Sequence, residues 1–218
     1  MDKVIEEILE NKDINNFIYD NAKIKVMIGA RRVGKTSALL FDAIRLTKFK
    51  KDCNVAIIVG GTYMRKSVEE SLVKMLNCLN VKYKKDDANK LFRSNISEYT
   101  LNNNNTIYTV SSSEFWHGTR FPKNIYRAYI DEEISYDLIN KALDMTRWNN
   151  YCVSIASTGI NLTKEKLDRL LTGYTFTVYH AKAINLLEEH IDKIKDVLGN
   201  EKFKKEFLCE WVDEYFKP

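Results

Sequence analysis

Gly29-Ala30-Arg31-Arg32-Val33-Gly34-Lys35-Thr36 is the stretch that decides the fold. Ile24-Lys25-Val26-Met27-Ile28 precedes it and reads as a strand by its β-branched content. Thr36 to Phe49 follows as a helix, with Ala38, Leu39, Ala43 and Leu46 on the inner side. A glycine-bounded loop between strand and helix is a phosphate cradle, because its backbone N–H groups converge at a helix N-terminus. Gly29 and Gly34 permit loop dihedrals that a Cβ would forbid. Lys35 is placed to meet the β- and γ-phosphates of ATP, and Thr36 offers its hydroxyl to Mg2+.

The second half of such a site is a carboxylate at a strand end. Tyr126–Ile130 reads as a strand that runs into Asp131, Glu132 and Glu133. Asp131 is expected to hold Mg2+ through water, and Glu132 to orient and deprotonate the attacking water. Glu133 is the neighbouring candidate, whose ordinary role is a solvated residue at a helix start. Having both Asp131 and Glu132 points to an ATP hydrolase with a catalytic glutamate, the ASCE type, rather than a small-molecule kinase. Thr163-Lys164-Glu165-Lys166 comes near a guanine-recognition signature but lacks its aspartate, which argues against GTP.

Ser157-Thr158 ends the next apolar strand, Cys152–Ser157, where a hydroxyl reaches the attacking water and can sense the γ-phosphate; a strand-end turn is the alternative. Two arginines inside the loop, Arg31 and Arg32, can neutralise charge on the γ-phosphate as a finger supplied within the chain does. Arg120 is a further candidate, in the aromatic-rich loop Trp116–Pro122.

Outward from the site, Val55–Val59 is a continuous apolar run, as expected of a central parallel strand covered on both faces. A helix is expected from about Arg65 to Leu79. Ile96–Leu101 and Thr106–Val110 alternate around the Asn102–Asn105 run as a hairpin, an insertion or an edge. Tyr174–Tyr179 reads as the last strand. An amphipathic helix on Val4, Ile5, Ile8 and Leu9 opens the chain. Two helices close it, one carrying Leu187, Ile191, Ile194, Val197 and Leu198 with Gly199 as its stop, the other from about Glu201 to Val212. The alternation predicts an α/β P-loop NTPase with a mostly parallel central sheet flanked by helices, plus a β-hairpin insertion. Residues 1–198 would form the ATPase domain and 199–218 a C-terminal helical segment.

Composition narrows the function classes. The chain has 218 residues, 44% hydrophobic and 29% charged, the balance of a water-soluble globular protein. No apolar run has the length of a membrane span, and the N-terminus has no apolar signal core. Cys53, Cys78, Cys152 and Cys209 stand singly, without the pairing of a zinc site or disulfide framework. His117, His180 and His190 lack metal-ligand spacing. The net charge of +4 permits an acidic partner such as DNA without demanding one. The lysines of Lys48–Lys51, Lys82–Lys85 and Lys202–Lys205 read as solvated faces.

Arg31-Arg32-Val33-Gly34-Lys35-Thr36, Tyr129-Ile130-Asp131-Glu132-Glu133 and Ala156-Ser157-Thr158 occur in the order found in the ATPase domain of phage terminase large subunits. The chain resembles that family. The hairpin Ile96–Val110, the His117-Gly118-Thr119-Arg120-Phe121 segment and the closing Phe203–Trp211 extend the similarity over nearly the whole length. The resemblance implies an ATP-hydrolysing motor that moves viral double-stranded DNA into a capsid. It would work at the viral portal in the cytoplasm of a bacterial host, as a ring when active, with a monomer as the alternative in isolation. It also implies that Arg31 is the arginine acting within the chain, Arg120 one acting on a neighbouring subunit, and Ser157-Thr158 the coupling motif. One departure is large. A terminase nuclease domain would begin where this sequence stops, and Asp213 and Glu214 alone cannot make its two-metal site, so DNA cleavage is not expected. The rival readings are another nucleic-acid-dependent ATPase such as a helicase-like motor, and a nucleotide-binding assembly module that hydrolyses slowly.

Overall fold

Buried strands set the architecture. In the computed structural model, residues 6, 10–30, 33–87, 96–116, 121, 124–132, 134–159, 161–181, 195–197, 199–204 and 209 are described. The chain order runs α1 (Lys12–Tyr19), β1 (Ile24–Gly29), α2 (Lys35–Phe49), β2 (Asn54–Val59), α3 (Thr62–Cys78), β3 (Tyr83–Asp87), β4 (Ser97–Leu101) and β5 (Thr106–Ser111). It continues through α4 (Ser112–Trp116), β6 (Ile125–Asp131), α5 (Tyr136–Met145), β7 (Val153–Ser157), α6 (Lys164–Leu170), β8 (Phe176–Ala181) and α7 (Asn200–Phe203). The opening helix expected on Val4, Ile5, Ile8 and Leu9 falls almost wholly outside the described residues, as does most of the closing helical region.

The strands form one eight-stranded sheet in the order β3-β4-β5-β2-β6-β7-β1-β8. From β5 to β8 every pairing is parallel; β3 and β4 are antiparallel additions at one edge. The hairpin is therefore built into the sheet, since β5 pairs directly with β2. The Lys82–Lys85 stretch, expected to be a solvated face, supplies most of the edge strand β3, where charged side chains discourage pairing with another chain.

Alternating side chains of the central strands feed two cores. Val55, Ile57 and Val59 pack with Leu39, Leu40 and Ile44 of α2 and Leu72 and Leu76 of α3. Ala56 and Ile58 lie on the opposite face with Leu138, Ile139 and Leu143 of α5 and Leu167 and Leu170 of α6. Truncating a buried leucine such as Leu72 to alanine costs about 2–5 kcal/mol. Phe203 and Cys209 are also buried, Cys209 in the second of these cores.

Two polar devices fix α2, the helix that leaves the phosphate loop. Buried Asp42 accepts from Lys25 Nζ at 2.9 Å, Tyr129 OH at 3.1 Å and Arg45 at 2.6 Å, tying α2 to β1 and β6. Lys25 also donates to the Phe17 carbonyl at 2.7 Å, which anchors α1. Burial, against the opposing attraction of Asp42, pushes Lys25 down to about 8. At the other end, the β4–β5 turn reaches the last carbonyls of α2. Asn103 donates to the carbonyls of Thr47 and Lys48 at 2.8 and 3.2 Å, and Asn105 to those of Thr47 and Lys50 at 2.8 and 2.7 Å. These side chains satisfy acceptors that a helix end leaves unpaired.

Candidate functional site

The phosphate loop begins where β1 runs out beside β8. A Cβ on Gly29 would sit 2.7 Å from the Ala181 carbonyl oxygen and 2.8 Å from the Ala181 Cβ, so only glycine fits this approach. The Ala30 N–H donates to the same carbonyl at 3.3 Å. Gly34 caps α2 at φ 89°, a left-handed conformation that favours glycine. Lys35, 5% exposed, opens the helix. Its ammonium donates to the carbonyls of Gly29 and Ala30 at 3.2 and 2.7 Å and lies 3.8 Å from Glu132 Oε1. Val33 packs against the core of the α2 face. Arg31, Arg32, Glu133 and Arg120 lie outside the described residues.

Asp131 ends β6 at the same sheet edge. Its Oδ2 accepts from Thr36 Oγ1 at 2.8 Å, and its buried Oδ1 has no hydrogen-bond partner among the described residues. Burial raises the carboxyl from 3.8 to about 6; the Thr36 hydrogen bond and Lys35 oppose the rise and the Glu132 charge adds to it. A hydroxyl and a carboxylate with one unpartnered oxygen match the hard oxygen chemistry of Mg2+, which keeps several waters and substrate oxygens in its own shell. Among the described residues no cluster of three or more His, Cys, Asp or Glu residues competes as a metal site.

Glu132 turns the chain out of the sheet at φ 68°, a conformation uncommon for a residue with a side chain. Its N–H donates to the Ala156 carbonyl at 2.8 Å, while its carboxylate stays about one-third exposed and within reach of solvent. β7 separates β1 from β6, with Ser157 beside Ile28 and Ala156 beside Asp131. Ser157 is fully buried, and its hydroxyl faces the Glu132 carbonyl at 3.5 Å. Thr158 is also buried, and its carbonyl accepts from the N–H groups of Asn161 and Leu162. Ala181 was not singled out in the sequence; nothing local marks a residue whose backbone meets Gly29 across the sheet.

An additional strand between the phosphate-loop strand and the Asp-Glu strand defines the ASCE class of P-loop NTPase folds, and this chain has that fold. The large terminase ATPase domain of Thermus phage P74-26 is similar, with a TM-score of 0.67 at 14% identity, over 97% of this chain and 98% of that one. The large terminase from a thermophilic bacteriophage in complex with ATP-gamma-S matches with a TM-score of 0.63 at 14% identity, over 93% of this chain but 53% of that one. The helicase MrfA bound to DNA matches more loosely, with a TM-score of 0.56 at 13% identity, over 83% of this chain and 29% of that one. No protein-family model matches the chain. No curated protein matches it. Among the described residues, no helix is long and apolar enough to cross a membrane.

Proposed function

We propose that this chain is the ATP-hydrolysing motor domain of a viral packaging machine, driving double-stranded DNA into a capsid. The observation that carries the reading is the 2.8 Å hydrogen bond from Thr36 to Asp131, with Glu132 next in sequence and 3.8 Å from Lys35. The likeness to large terminase ATPase domains supports the motor class.

In this reading ATP lies along Gly29–Thr36, and its phosphates accept from the loop N–H groups. Lys35 exchanges the Gly29 and Ala30 carbonyls for the β- and γ-phosphates. Thr36 and Asp131 hold Mg2+, which when bound neutralises charge on the phosphate oxygens. Glu132 takes the proton of the attacking water, and its exposed position lets that proton pass to solvent. Ser157-Thr158, held against the Glu132 turn, links the site to movement. Arg31 or Arg32 neutralises the γ-phosphate from within the chain, and Arg120 does so from a neighbouring subunit of a ring seated on the viral portal. Residues 1–198 form the ATPase unit and 199–218 the segment that follows it, with no nuclease chemistry of their own.

The test is turnover with and without duplex DNA, in the wild type and in Glu132→Gln. The Gln variant should bind ATP normally and turn over at least about a hundredfold more slowly. Duplex DNA should raise wild-type turnover. Normal turnover by the Gln variant removes Glu132 from its role, and turnover indifferent to DNA removes the motor reading in favour of an assembly module.

A further inference from the structure

Two helices leave the sheet directly from the candidate site. α5 starts at Tyr136, four residues after Glu132, and α6 starts at Lys164, six residues after Thr158. Both pack on the face opposite α2, and a cleft of about 510 Å3 lies between them. Tyr136, Lys166, Arg169 and Leu170 line it. Among the described residues, none that lines the cleft is a carboxylate. The acids nearest in sequence on α6 are Glu165 and Asp168, and Asp168 pairs with Lys164 at 3.0 Å. Arg169 is exposed and makes no ion pair among the described residues, and Tyr136 is 58% exposed beside it.

Resting on the motor reading above, we propose that this cleft receives the phosphate backbone of duplex DNA. Two cations one helical turn apart, a phenol that can donate to a phosphate oxygen and an apolar floor suit a phosphodiester strand without reading its bases. A backbone contact of this kind is what a sequence-indifferent motor requires. The cleft is also wired to the site. Lys166 Nζ donates to the Asn161 carbonyl at 2.9 Å, and the Asn161 N–H donates to the Thr158 carbonyl at 3.2 Å. A shift of Thr158 is thereby passed to a cation facing the DNA within two hydrogen bonds, while the opposite wall moves with the Glu132 turn.

The experiment measures binding of a fluorescent duplex over a salt series, with DNA-stimulated turnover in parallel. Lys166→Glu/Arg169→Glu is compared with Lys82→Glu/Lys84→Glu, which reverses two exposed charges at and beside the distant β3 edge. The cleft variant should lose affinity about tenfold or more, flatten the salt dependence by about two phosphate contacts and lose DNA stimulation, with DNA-free turnover unchanged. Lys166→Gln/Arg169→Gln should act in the same direction, which guards against a folding defect of the reversal. If the wild type binds duplex and the cleft variants bind it equally well, or no worse than the β3-edge variant does, the cleft assignment is overturned and the motor reading stands. If the wild type binds no duplex at all, both are overturned.

Discussion

The hydroxyl of Thr36 donates to Oδ2 of Asp131 across 2.8 Å, joining residues 95 positions apart. The other carboxylate oxygen is buried without a partner among the described residues, and the group is held up to about 6 by burial. Because this is above the 3.8 of an exposed aspartate, ionised Asp131 destabilises the fold. That cost is absent below about pH 4, grows between pH 4 and 6, and is complete above pH 6. Asp131→Asn keeps an acceptor for Thr36 without the charge. In EDTA it should be more stable than wild type at pH 7.5, by up to about 3 kcal/mol, and the gain should shrink as pH falls towards 4. Urea unfolding across that range checks it; an Asn variant less stable at pH 7.5 contradicts the sign.

Lys35 is buried with its ammonium spread over two loop carbonyls and near Glu132. In the proposed reading Lys35 carries the charge that faces the β- and γ-phosphates, so Lys35→Ala should lower nucleotide binding below detection by calorimetry while the fold persists. ATP affinity close to wild type would place the phosphates elsewhere.

Gly29→Ala puts a methyl 2.7 Å from a backbone oxygen and 2.8 Å from the Ala181 Cβ. The end of β8 must then move away from the loop. Overpacking of this kind costs about 1–3 kcal/mol, and nucleotide affinity should drop along with the melting temperature. An unchanged melting temperature would mean that β8 gives way freely there.

Arg120 is testable by mixing. Arg120→Ala and Lys35→Ala chains should each be inactive alone. Where they adjoin in a ring, an intact ATP site faces an intact arginine, and turnover should partly return; a missing arginine finger costs about 10³–10⁵ in rate. Mixed assemblies that form but stay inactive at every ratio assign the finger to Arg31 or Arg32.

The strand, loop and helix around Gly29–Thr36 and the strand that ends at Asp131 could be read from sequence because each is a contiguous run with its own apolar pattern. Val55–Val59 could be read because a strand covered on both faces has no polar positions. Other elements carried weaker local signals. α5 is announced by Ser135, whose side chain caps it, and α6 by Thr163, yet both helices are short and their apolar positions few. α1, capped by Asn11, lies just beyond the segment that looked most helical. β3 is dominated by charge, since an edge strand has solvent on one side. Lys25, in a stretch read from sequence only as a strand, meets Asp42 and the Phe17 carbonyl inside the core. The approach of Ala181 to Gly29 is a product of strand order and leaves no local trace.

The asparagines of the β4–β5 turn grip the far end of α2, whose near end is Lys35. A helix of 15 residues spans about 22 Å, so the grip turns α2 into a push-rod with a fixed head. Axial displacement at the phosphate end must break four hydrogen bonds at the other end or drag the turn along with it. The antiparallel edge of the sheet is in this sense a mechanical terminal of the candidate site, on the side of the molecule away from β8.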